Sequence, residues 1–173
     1  MHYYIYLLAF CKITLGLLFL ILFLSKLKSF SQYVATVSEF RLLPKSFTRL
    51  AAVLILISEL LVVLFLFKWQ VVAFWLASIL LIIFSSAFVS VLFRNIQVTC
   101  NCFGSSQHPV SQADLVRNFG FLLCSCGGSW LAAKPEIAVS LAPLHSGFIG
   151  FMALAFVLIW MQLGEIYRLF QPN

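Results

Sequence analysis

VVAFWLASILLIIFSSAFVSVLF, residues 71–93, runs from end to end without one charged side chain. Crossing roughly 30 Å of hydrocarbon takes about 20 apolar residues at a helical rise near 1.5 Å, so this stretch reads as a membrane span. In lipid the backbone must satisfy its own polar groups, and the alternating pattern of a barrel is absent, which leaves the α-helix. Working outward, comparable apolar runs lie at 4–24, 49–67, 114–133 and 146–168. Lys68-Trp69-Gln70 alone separates the second from the third, a connection so short that the two must form an antiparallel hairpin.

Composition agrees. The 173 residues are 63% hydrophobic and 9% charged, with a mean hydropathy of +1.08. An ordinary soluble domain is about half apolar and about a quarter charged. The length leaves room for four or five spans and little else. The first run lacks a basic leading segment and a small-residue cleavage site, so it reads as a permanent span rather than a signal peptide. The net charge of +6 is concentrated between the spans, where topology or anionic lipid accounts for it and nucleic-acid binding is excluded. The expectation is an all-α, polytopic transmembrane helical bundle, with residues 1–133 as a four-helix membrane domain and 134–173 as a loop and an additional C-terminal span.

Between the first two spans, Phe30, Val34, Val37 and Arg41 follow helical spacing, with Lys26, Lys28 and Glu39 on the polar side. This predicts a short helix over about 29–43 lying on the bilayer surface and ended by Pro44. The third and fourth spans are joined by a polar loop, 94–110, that contains TCNCFGSSQHP at 99–109. Ser111, with Asp114 three residues on, has the spacing of a capping box opening the fourth span. In that span Gly120, Cys124 and Gly128 form a small-residue face on which another helix packs closely, and GGSW at 127–130 makes it the least regular span. The fifth, Ser146 to Arg168, ends with Trp160 and Tyr167 toward an interface.

Two arguments on orientation conflict. Lys26, Lys28, Arg41, Lys45, Arg49, Arg94 and Arg117 crowd one face, against Lys68 and Lys134 on the other, which makes the crowded face cytoplasmic. A cysteine pair that works by disulfide chemistry fits an oxidising compartment instead, and cationic neighbours have a second use in stabilising a thiolate.

That pair, Cys100 and Cys102, is the sharpest chemical feature. Two cysteines one residue apart close only a small, strained ring, easily reduced and suited to exchange. A metal site using Cys100, Cys102 and His108 is the alternative, weakened by the missing fourth donor. Cys124 and Cys126, at i and i+2 on a helix, do not share a face, and a bond between them needs unwinding at Gly127 and Gly128; the plainer reading is helix packing. Cys11 reads as core. Lys12 and Glu59 sit near the centres of the first two spans at similar depth, as an ion pair or as a functional site in which Glu59 accepts a proton during thiol exchange. Arg117 reads as a side chain that snorkels to the surface, and His2 and His145 as interfacial residues.

Together, SKLKSF after the first span, FRLLP before the second, Glu59 within it, CNCFG in the third connection and VSQADLVRN opening the fourth resemble the MauE family of DoxX-like membrane proteins, in order and over residues from about 5 to 133. The resemblance implies a four-helix DoxX/MauE-like core, to which the fifth span is an addition, in the cytoplasmic membrane of a bacterium. It implies a part in maturing extracytoplasmic proteins, notably the disulfide-rich small subunit of methylamine dehydrogenase. It also implies a thioredoxin-like partner and an exported cysteine-containing substrate protein. Carried over by position, it gives Cys100, Cys102, Phe103 and Gly104, with Lys26, Glu59, Arg117 and Asn118 in support. The expected activity is that of a membrane thiol–disulfide component with no bound cofactor. A non-catalytic membrane scaffold or export partner is the first alternative, and a small-solute or metal transporter built on Lys12 and Glu59 the second.

Overall fold

The computed structural model describes residues 2–40, 44–94, 112–134 and 143–162. Over these the chain forms six helices and no strand: α1 (His2–Lys28), α2 (Phe30–Glu39), α3 (Lys45–Lys68), α4 (Gln70–Phe93), α5 (Gln112–Ala132) and α6 (Pro143–Met161). Three segments are long and apolar enough to cross a membrane, Tyr3–Lys28, Ser46–Lys68 and Gln70–Phe93, and Gly147–Met161 is a shorter apolar stretch. The chain is an all-α, multi-pass membrane protein. Trp69 alone separates α3 from α4, as the expected hairpin requires.

Helices α1, α3, α4 and α5 close a ring in which each packs on its two neighbours. Helix α6 lies along α1, and α2 docks on α3. Each helix divides its apolar residues between this core and the lipid. On α4, Ala73, Phe74, Ala77, Leu80, Leu81, Phe88 and Val91 point inward at helical spacing, while Trp75, Ile79, Ile82 and Ile83 point out. Lipid is as apolar as the core, so burial alone does not hold such helices together; close approach and polar contacts do.

The seam between α4 and α5 shows both. A side chain on Gly128 would run into the Phe74 ring. The Ser125 hydroxyl donates to the Phe74 carbonyl at 2.8 Å, and that of Ser78 donates to Ser125 Oγ at 2.9 Å. Higher up, Asn118 Nδ2 donates to the Leu81 carbonyl at 2.9 Å and to Ser85 Oγ at 2.7 Å. The small-residue face of α5 thus exists, but it serves three helices rather than one. Gly128 meets α4, Cys124 joins the core cluster that includes Cys11 of α1, and Gly120 leaves the space that the Trp160 indole of α6 fills.

Several expectations change. Helix α5 continues unbroken through Gly127 and Gly128, because a helical backbone needs no side chain there; Cys124 and Cys126 therefore keep different faces, one half-buried and one exposed. Trp160, half-buried at the end of α6, is stacked on Phe156 at 5.2 Å between ring centroids. Helix α2 is not simply laid on the bilayer. Its Tyr33 and Thr36 are buried, and Phe30, Val34 and Val37 pack around Tyr33 and Ala52 of α3. It ends at Glu39, and Pro44 caps the start of α3 rather than ending α2. Arg41, Ser111, Tyr167 and Arg168 lie outside the described residues.

Candidate functional site

Lys26 stands in the last turn of α1, the position expected for a charge outside the span. The helix nevertheless runs on to Lys28, because backbone hydrogen bonds and not apolar side chains set where it stops. That extension turns Lys26 inward, leaving it 1% exposed. Its Nζ donates to Glu59 Oε1 of α3 in a buried ion pair, with Glu59 wholly buried. The ammonium also lies 4.9 Å from the centre of the Tyr33 ring of α2 and 4.6 Å from that of Phe84 of α4. Two aromatic faces and one carboxylate thus replace its water.

This corrects the depth match between Lys12 and Glu59. A side chain on Gly16 would lie 3.6 Å from Leu66, which fixes the register of the antiparallel α1 and α3. Lys12 is four residues on one side of that contact and Glu59 seven on the other, about 16 Å apart along the axis. Lys12 is half-buried, away from the pair. Lys12 and Glu59 therefore do not face each other across α1 and α3.

The pair is not fully satisfied. Among the described residues, neither Glu59 Oε2 nor the Tyr33 hydroxyl has a hydrogen-bond partner, and both are buried. Burial, and after it the nearby Glu59 carboxylate, hold the Tyr33 phenol above its ordinary pKa.

A second polar cluster surrounds the start of α5. Arg117 does not snorkel; it is 6% exposed, pairs with Asp114 at 2.8 Å and donates from Nη1 to the Met161 carbonyl at the end of α6, 3.3 Å away. Trp160 Nε1 returns the contact by donating to the Arg117 carbonyl at 3.0 Å. An α-helix leaves its last carbonyls unpaired, and Arg117 supplies a donor to one of them. Next to it, Asn118 holds α5 to Leu81 and Ser85 of α4.

Both clusters lie beneath one end of the bundle. Phe40 at the end of α2 packs with Phe88 and Val91 of α4 and Leu115 of α5, which brings the two feet of the α4–α5 connection, Arg94 and Gln112, to the end where α2 sits. Phe84 is ten residues below Arg94, about 15 Å, and Asn118 six below Gln112, about 9 Å. The connection itself, with Cys100, Cys102, Phe103, Gly104 and His108, lies outside the described residues. Of the seven basic residues expected on this face, Lys26 and Arg117 are buried and paired with acids, so neither acts as a surface charge; Lys28, Arg49 and Arg94 are exposed. No group of three or more His, Cys, Asp or Glu able to hold a metal occurs among the described residues.

One arrangement had no signal in the sequence. Cys11, buried in α1, and Cys124 of α5 belong to one core cluster, and both are free thiols. Cys11 is core, as expected, and Cys124 packs against the same core. The exposed Cys126 is also free.

No curated protein and no solved structure matches the chain. A family model does match it, that of methylamine utilisation protein MauE, over residues 4–131. The matched span runs from the start of α1 almost to the end of α5, so it holds the four-helix ring, the docked α2 and the connection bearing Cys100 and Cys102, and stops before α6. The chain belongs to the MauE family of methylamine utilisation membrane proteins.

Proposed function

We propose that the chain is a membrane thiol–disulfide component, in the cytoplasmic membrane of a bacterium, that supports maturation of an exported protein. The observation that carries this reading is the Cys100-Asn101-Cys102-Phe103-Gly104 connection within the matched region, set between two firmly anchored helix ends. Asn118 ties α5 to α4, Arg117 and Trp160 tie α5 to α6, and Phe40, Phe88, Val91 and Leu115 pack the feet together. Such a frame holds the two helix ends from which the cysteine connection departs.

The chemistry is exchange. A thiolate of a thioredoxin-like partner attacks one sulfur of a Cys100–Cys102 disulfide, forming a mixed disulfide and releasing the other sulfur as thiolate. The partner's second thiolate then attacks the mixed bond. The loop leaves as a dithiol and the partner as a disulfide, two electrons having passed to the loop. The same steps run backwards when the potentials are reversed. Phe103 and Gly104 belong to the same motif, while Lys26 and Glu59 brace α1 against α3 at this end of the bundle. The substrate is an exported, cysteine-containing protein such as the small subunit of methylamine dehydrogenase.

Replacing Cys100 and Cys102 together by Ser tests this against a purely architectural role. The reading predicts a chain that still accumulates in the membrane while its exported client loses its native disulfides. Full client maturation by the double variant would make the loop a binding surface without redox chemistry.

A further inference from the structure

Glu59 Oε2 of α3 and the Tyr33 hydroxyl of α2 are both buried, and among the described residues neither has a hydrogen-bond partner. They flank a single charge. Lys26 Nζ of α1 donates to the other oxygen of the same carboxylate and lies 4.9 Å from the centre of the same tyrosine ring. Phe84 of α4, its ring centre 4.6 Å from Nζ, walls the site from another side. Lys26 is 1% exposed, Glu59 0% and Tyr33 4%, so none of the three is open to bulk solvent. Buried polar groups without a partner are rare in folded proteins, and where they cluster an ordered water commonly joins them.

The donors and acceptors present select what binds. An ionised Glu59 Oε2 only accepts, the phenol has a proton to donate, and the ammonium carries N–H groups beyond the one it gives to Glu59. The group that completes the set must therefore accept and donate at once. Its charge is restricted as well, since a cation meets Lys26, an anion meets Glu59, and either must shed its hydration among aromatic rings. A small neutral hydroxyl satisfies both conditions. We propose that Lys26, Tyr33 and Glu59 form a binding site for one water molecule, enclosed between α1, α2 and α3. The water accepts from the Tyr33 hydroxyl and from Lys26 Nζ and donates to Glu59 Oε2, which gives it about the three partners typical of buried water. The ion pair and the ring contact then become one hydrogen-bonded network, and α2 is fastened to the pair by a polar link as well as an apolar one. The site does not depend on exchange at Cys100 and Cys102.

The test is a crystal structure of the full chain grown from lipidic mesophase, at a resolution that shows ordered water, joined to water-edited solid-state NMR in phosphatidylcholine bilayers. The expected map has a solvent peak about 2.6–3.2 Å from both Glu59 Oε2 and the Tyr33 hydroxyl. In the NMR, the Glu59 carboxyl carbon should gain water magnetisation several-fold faster than the methyl carbons of Leu18 and Leu22, which are buried in the apolar core. Tyr33→Phe should slow that gain several-fold, while the exposed Glu39 keeps its rate in both proteins. A melting curve checks that the variant is folded, and the wild-type map stands without it. A direct Tyr33–Glu59 hydrogen bond, a side chain filling the space between them or no peak there would each overturn the inference. So would a Glu59 carboxyl as slow as the leucine methyls, or one whose rate ignores the loss of the Tyr33 hydroxyl.

Discussion

Lys26 and Glu59, one at the end of α1 and the other in the middle of α3, form an ion pair sealed from solvent by α2 and α4. Two charges withdrawn from water are tolerated only while each has the other. Lys26→Met or Glu59→Gln alone is expected to destabilise the protein by about 3–5 kcal/mol, because the survivor is left buried and unpaired. The double variant should recover most of that loss. Denaturant unfolding of the four proteins in one detergent measures the coupling; additive losses would show that the two charges do not depend on each other.

Tyr33 contributes its ring to this pair, but its hydroxyl has no partner among the described residues. Tyr33→Phe keeps the ring and removes the orphaned group, so stability at neutral pH should hold to within about 1 kcal/mol or rise. The pKa of the folded-state phenol is raised, so the unfolded chain releases this proton first as pH climbs. The wild type should therefore lose stability above the ordinary tyrosine value of 10.0. Melting temperature against pH checks this, with a steeper alkaline fall for wild type than for Tyr33→Phe.

Gly128 and Gly127 offer a paired comparison. A side chain on the first would meet the Phe74 ring, whereas a Cβ on the second would have nothing within 4 Å. Gly128→Leu should cost about 1–3 kcal/mol through overpacking, while Gly127→Leu should be nearly silent. Thermal unfolding in matched detergent distinguishes them, and equal effects would contradict the α4–α5 seam.

Asn118 makes two inter-helix hydrogen bonds, and within a membrane each is worth about 0.6 kcal/mol on average. Asn118→Ala is expected to lower stability by about 1–2 kcal/mol. Because Asn118 sits below one foot of the cysteine connection, alkylation of Cys100 and Cys102 should become faster in the variant. An unchanged rate would separate the loop from the frame beneath it.

The sequence made α1, α3 and α4 legible as spans because hydropathy and helix length are properties of contiguous residues, and the Lys68-Trp69-Gln70 hairpin followed from length alone; α5 and α6, expected as spans too, are not, over the described residues, among the helices long and apolar enough to cross. Rotation about each helix axis is a different matter. The spacing of Gly120, Cys124 and Gly128 announced a close-packed face but could not divide it among Trp160, Cys11 and Phe74. Lys26 was misplaced by the habit of ending a span at its first charge. The α1 helix carries on to Lys28 and hides that charge against Glu59, so the partner came from the span's end and not from Lys12 at its centre. The same habit sent Arg117 to the surface, when Asp114 and the end of α6 were there to receive it. That Cys11 and Cys124 share one core depends on how two distant helices are turned toward each other, and no local pattern encodes that.

The central claim is that Cys100 and Cys102 change oxidation state as the protein works. Acid quenching of living cells, alkylation with a mass-tagged maleimide and comparison with and without reductant reads it directly, using a chain in which Cys11, Cys124 and Cys126 are replaced by Ala. The expected result is a mixed population that shifts toward the dithiol when the thioredoxin-like partner is in excess and reduced. Cysteines that keep one state whatever the partner's abundance would contradict the claim.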